Sequence, residues 1–141
     1  MQNIITTEET AENRRKTILL VEDEVITSMA QAQFLTNSGY NVIQANDGDT
    51  AISIALENGD IDLILMDIDL GYGIDGTRAA ELILEGRNIP IVFLTSHAEK
   101  EMVQLVKNIT RYGYIIKNSG EFVLLSSIEM AFELFEAHRR T

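Results

Sequence analysis

Five short apolar runs recur along the chain, at 17–21 (TILLV), 41–45 (NVIQA), 62–66 (DLILM), 90–95 (PIVFLT) and 112–116 (YGYII). The first, third and fourth are nearly unbroken hydrophobics, the pattern of strands buried on both faces. Between them, apolar residues are spaced by three and four, as on one side of a helix. The stripes are Ile26, Ala30 and Phe34; Ala51, Ile54 and Ala55; Ala79, Leu82 and Ile83; and Met102, Leu105 and Val106. Gly39, Gly59 and Gly86 stand where three of these helices should stop. Strand and helix in alternation predict a parallel sheet covered on both faces. Five strands are too few for an eight-stranded barrel, so the expected architecture is an open, doubly wound α/β fold. In such sheets ligands bind beyond the carboxyl ends of the strands, near the point where strand order reverses.

Charge narrows the function. The 141 residues carry 22 acids against 11 lysines and arginines, a net charge of −11. Residues 1–16 hold three acids, three bases and no periodicity, so they read as a flexible leader before one domain over 17–141. From Thr17 to Thr77 there are eleven acids and no lysine or arginine. Phosphate backbones would be repelled by that half, which argues against direct nucleic-acid binding. Carboxylates clustered without nearby cations invite a divalent metal; otherwise they form a solvated, solubilising surface. The chain has no cysteine, which excludes disulfides, thiolate zinc sites and cysteine nucleophiles. No apolar run approaches the roughly 18 residues of a membrane span, and the first 16 lack a signal-peptide block. The cytoplasm is the expected location.

The residues at the strand ends form a coherent set. Glu22, Asp23 and Glu24 follow the first run, Asp67 the third, Thr95 and Ser96 the fourth, and Lys117 the fifth. Converging carboxylates repel and raise one another's pKa unless cations hold them ionised. Lys117 and a hard cation such as Mg²⁺ would do so. A carboxylate nucleophile, a metal, an ammonium and a hydroxyl are the parts phosphoryl transfer needs. Each residue has a plainer use: Asp23 or Glu24 as a helix cap, Thr95 or Ser96 as another, Lys117 as a solvated cation. Four suitable groups at four strand ends are what make the combination specific.

These residues resemble the receiver domain of bacterial two-component signalling, the response-regulator family. ILLVEDE is similar to that family's first strand with its acidic pair, DLILMDIDL to the phosphoacceptor strand, IPIVFLTS to the fourth strand and GYIIK to the fifth. The resemblance runs from about Lys16 to Arg140. It implies strand order 2-1-3-4-5, the flavodoxin-like arrangement. It implies that Asp67 accepts a phosphoryl group from a phosphohistidine on a histidine kinase or phosphotransfer protein. Asp23 and Asp67 would hold Mg²⁺, with the backbone carbonyl of Asp69 and, through water, Glu22. Lys117 would pair with Asp67, Thr95 would bond the phosphoryl group, and Tyr114 would follow it inward. That switch would alter the face formed by the fourth helix, fifth strand and fifth helix.

Three departures stand out. Lys117 is followed by Asn118 where the family has proline, so a cis bond there would cost about 3 kcal/mol. Either the loop takes another path or strain is stored. The loop after Asp67, IDLGYGIDG, is one residue longer than usual and rich in glycine. Asp69 and His97 occupy positions that, in the family, influence hydrolysis of the aspartyl phosphate; His97 also reads as a plain loop residue.

Two other functions compete. Asp67-Ile-Asp69 also resembles the DxD motif of haloacid-dehalogenase-type phosphatases, with Asp67 as nucleophile and Asp69 as general acid/base. Those enzymes place that strand first and a further acidic motif after the lysine, which this chain does not. A dimerisation module that is not phosphorylated is the other alternative. The expected role is therefore signalling rather than enzymatic. On the fifth helix, Phe122, Leu125, Ile128, Phe132 and Phe135 should face the sheet. Val123, Met130 and Leu134 fall outside that stripe and suggest a face for a homodimer or an adjoining sensor or kinase module.

Overall fold

A computed structural model describes residues 14–71, 73–96 and 99–140. It has five strands, β1 (Thr17–Val21), β2 (Asn41–Ala45), β3 (Leu63–Asp67), β4 (Ile91–Thr95) and β5 (Tyr114–Ile116). Five helices alternate with them: α1 (Val25–Asn37), α2 (Gly48–Glu57), α3 (Gly76–Gly86), α4 (Lys100–Ile109) and α5 (Glu121–Arg139). All strand pairs are parallel, in the order β2-β1-β3-β4-β5. This is the expected flavodoxin-like doubly wound sheet. The reversal of strand order falls between β1 and β3, which puts Glu22, Asp23 and Asp67 beside the crevice.

Alternation along the strands builds two cores. Leu19, Val21, Ile64, Met66, Ile91 and Phe93 pack on one face against α2, α3 and α4. Ile18, Leu20, Leu63, Leu65, Val92 and Leu94 pack on the other against α1 and α5. Every residue of β1, β3 and β4 is buried, as their unbroken apolar runs predict. Asp62 falls just outside β3, where its Oδ2 accepts from Thr17 N at 2.8 Å. β5 is short because Gly113, at φ +93°, turns the chain immediately before it.

The helix faces follow expectation for α2 and largely for α3, and depart elsewhere. On α1, Ile26 is 83% exposed, Ala30 is exposed and Phe34 is half-buried, while Ser28, Ala32 and Leu35 face the sheet. Ser28 is tolerated there because its Oγ donates to Gln44 Oε1 at 2.8 Å. On α5, Phe122 is 82% exposed, and Leu124, Ile128 and Ala131 form the buried stripe. Leu125, Phe132 and Phe135 sit half-buried along its edge. On α4, Val106 is buried and Met102 half-buried, but Leu105 is exposed.

Residues 1–13, most of the expected leader, lie outside the described residues, as does His97. The end of that segment is bonded to the domain. Arg15 donates to the carbonyls of Gly39, Thr36 and Tyr40, and Arg14 pairs with Asp62 at 3.5 Å. Arg87, just after α3, donates to the carbonyls of Ala55, Asn58, Gly59 and Ile61. One guanidinium thereby closes the end of α2 and the turn that follows it. Among the described residues no helix is long and apolar enough to cross a membrane.

Candidate functional site

β1 and β3 run side by side, so the residues at their ends meet. Asp67, the last residue of β3, is completely buried, and Glu22, the first residue past β1, is 1% exposed. Asp23, next in the chain, is exposed. One carboxylate oxygen from each of the three lies within 4.8 Å of the others. Lys117 follows β5 and reaches across β4. Its Nζ lies 2.9 Å from Asp67 Oδ2 and 3.2 Å from Glu22 Oε1. Asp67 Oδ1 accepts from Asp69 N at 3.0 Å, so both oxygens of Asp67 are held.

Of the plainer uses of these residues, only one is observed in part, Glu24 at a helix N-cap position. The N-cap of α1 is Glu24, and its side chain makes no cap hydrogen bond. Asp23 instead accepts from Gly71 N at 3.1 Å, across 48 positions of sequence. The N-cap of α4 is Glu99, so Thr95 is not spent there. Thr95 closes β4 and is 1% exposed, and its carbonyl accepts from Lys117 N at 2.8 Å. Tyr114 opens β5, opposite Phe93, half-buried against the α2–α4 core. Lys117 and Asn118 are joined by a trans peptide bond, for no cis bond occurs among the described residues, and Asn118 turns the chain at φ +67°. The loop thus takes the other path, through a left-handed conformation that asparagine tolerates.

Two glycines contribute in ways that spacing alone does not disclose. A Cβ placed on Gly76 would run into the Asp67 carbonyl oxygen. The start of α3 therefore rests directly on the backbone of Asp67, and Gly76 N donates to Ile68 O at 3.0 Å. A Cβ on Gly48 would lie 2.9 Å from Ile74 O, so α2 also packs tightly, though less so, against the loop that leads into α3. Gly76 closes the glycine-rich loop noted in the sequence; Gly48 carried no such signal.

The electrostatics follow from burial and like charge. Burial, then a hydrogen bond to Asp67 and the charge of Asp67, raise the Glu22 carboxyl to about 7. Burial alone would lower the Lys117 ammonium, but the hydrogen bond to Asp67 and the charges of Asp67 and Glu22 outweigh it and raise its pKa. Glu22 Oε1 is buried and lacks an aligned hydrogen bond despite its proximity to Nζ. An acceptor left this way, beside two further carboxylates, is the donor set of a hard divalent cation. The folded state holds a proton on Glu22 that the unfolded chain releases from 4.5 upward. Without metal, this group therefore favours folding at acid pH and loses that contribution as pH rises toward 7. The metal-free wild type is expected to lose stability relative to Glu22→Gln between about pH 5 and pH 8, in paired urea denaturations. Parallel curves for the two proteins would contradict the assignment.

A flavodoxin-like sheet whose switch-point crevice holds three carboxylates and a lysine defines a class of acidic, cation-ready α/β domains. The response regulator receiver domain family matches residues 18–129, and the chain belongs to that family. It is 32% identical over 119 residues to the transcriptional regulatory protein PdtaR of Mycobacterium tuberculosis, covering 84% of this chain and 57% of that protein. It is 33% identical over 131 residues to the CAI-1 autoinducer sensor kinase/phosphatase CqsS of Vibrio cholerae, covering 90% of this chain and 18% of that one. The chain thus spans well under two thirds of the length of either relative. Among solved structures, the N-terminal domain of a response regulator/sensory box/GGDEF protein from Carboxydothermus hydrogenoformans superposes with a TM-score of 0.80 at 41% identity. That match covers 87% of this chain and 98% of that one. The chain is a receiver domain of two-component signalling. Its fold is that of a signalling receiver domain.

Proposed function

We propose that Asp67 is the phosphoacceptor, and that it takes a phosphoryl group from a phosphohistidine of a histidine kinase or phosphotransfer protein. The observation that carries this is the Lys117–Asp67 contact of 2.9 Å at the bottom of a three-carboxylate pocket. A carboxylate oxygen of Asp67 forms the new O–P bond, the P–N bond to the imidazole breaks, and the imidazole leaves with a proton. Lys117 neutralises charge on the nucleophile before the step and on the phosphoryl oxygens after it. The Thr95 hydroxyl, at the end of the neighbouring strand, is suited to donate to one of those oxygens. Asp23, Asp67 and the backbone carbonyl of Asp69 would hold Mg²⁺, with Glu22 acting through water. Mg²⁺ would supply charge neutralisation between the acids and the phosphoryl oxygens.

Tyr114 lies on β5, two residues before Ile116, where a displacement of the Thr95 side chain would be passed toward α4 and α5. The exposed side chains of α5, Val123, Met130 and Leu134, offer a surface to a second copy or an adjoining module. A cytoplasmic location fits a partner that carries phosphohistidine.

The test uses Mg²⁺ and acetyl phosphate, followed by mapping of the acid-labile adduct. One phosphoryl group is expected, on Asp67, and none in Asp67→Asn. A label on another residue, or an unlabelled wild type, would overturn the assignment.

A further inference from the structure

We propose that the backbone amide of Gly71 is a positioning group for Asp23, holding one carboxylate oxygen so that the other is presented to the cation. The inference rests on the reading of the acidic pocket as a Mg²⁺ site. Glu22 and Asp67 are fixed by burial and by Lys117. Asp23 is exposed and has neither constraint. Among the described residues, its side chain makes one hydrogen bond, Oδ2 to Gly71 N at 3.1 Å. A Cβ on Gly71 would meet that same oxygen at 3.1 Å, closer than an ordinary van der Waals contact.

The loop can hold this position because it is anchored at both ends. Leu70 is 4% exposed, Leu70 N donates to Ile68 O at 3.1 Å, and Gly76 N donates to the same carbonyl. Gly71 thereby carries an amide over to the first-strand acid. With Oδ2 engaged, Asp23 offers a cation a single oxygen. One-oxygen ligation suits Mg²⁺, which takes few carboxylates at rigid geometry, better than Ca²⁺, which takes more oxygens and often both from one carboxylate. The contact thus orients a ligand and favours the smaller ion.

Calorimetric titration of the whole chain with Mg²⁺ and with Ca²⁺ tests this in wild type, Gly71→Ala and Gly71→Pro. The alanine crowds Oδ2, and the proline removes the donor. Outer-shell partners of metal ligands are worth about 10- to 100-fold in affinity, so roughly tenfold weaker Mg²⁺ binding is expected, with Ca²⁺ weakened much less. Unchanged Mg²⁺ affinity in both variants, or equal losses for the two ions, would overturn the proposal. Should the variants fold poorly, hydrogen exchange at the Gly71 amide decides it. Exchange should be faster in Asp23→Ala than in wild type, and equal rates would count against the contact. A wild type that binds no Mg²⁺ would instead refute the metal reading, whatever the exchange rates show.

Discussion

Gly76→Ala is expected to lower stability by about 3 kcal/mol and to abolish phosphorylation of Asp67. The added methyl would run into the Asp67 carbonyl oxygen and stand 2.9 Å from its carbon and 3.0 Å from Ile68 Cα. All three are backbone atoms, so no side chain can rotate out of the way. Relief requires α3 to lift off β3 or the end of β3 to move. Either shift breaks the bond from Gly76 N to Ile68 O and displaces the carboxylate that Lys117 holds. Gly59→Ala is the matched control, because a Cβ there meets nothing within 4 Å. It should change stability by no more than about 0.5 kcal/mol. Urea denaturation and acetyl-phosphate labelling of both proteins check this, and a Gly76→Ala protein as stable as the control would refute it.

Lys117→Ala is expected to cost about 3 kcal/mol in metal-free protein at pH 8. Glu22 and Asp67 are each about 1% exposed in their side chains, and this ammonium touches both. Taking it away leaves two carboxylates enclosed against one another. The low end of the range for a broken buried pair applies, because the Lys117 side chain keeps 22% of its surface in solvent. The loss should shrink toward pH 5, where Glu22, already raised to about 7, carries a proton and no longer repels Asp67. Adding Asp67→Asn to Lys117→Ala should recover part of the loss, since the second charge is then gone. Urea midpoints at two pH values measure all of this. A loss of the same size at both would mean that packing of the lysine stem, and not charge, is the cause.

How much of this could be read beforehand depended on whether a residue's role is local in sequence. β1, β3 and β4 were legible because strands buried on both faces need hydrophobics at every position, and few other structures do. The placement of Asp67, Thr95 and Lys117 at neighbouring strand ends was legible because each directly follows or closes such a run in a doubly wound sheet. The faces of α1 and α5 were not. Ser28 turns inward because Gln44, on another element, accepts a hydrogen bond from its hydroxyl, and Phe122 stays outside while Leu124, two residues on, takes the buried place. Ranking side chains by hydrophobicity favours Ile26 and Phe122 for the interior, whereas the space available favours Ala32, Leu124 and Ala131. The closeness of Gly76 to Asp67 and of Gly71 to Asp23 concerns gaps between segments, and no periodicity records a gap.

Arg87 has a mechanical consequence for signalling. Four carbonyls between Ala55 and Ile61 converge on its guanidinium. The rim of the domain opposite the carboxylates is therefore clamped, and a disturbance arising at Asp67 meets a stiff boundary there. Motion must be taken up by elements with fewer such ties, the short β5 and half-buried α4 among them.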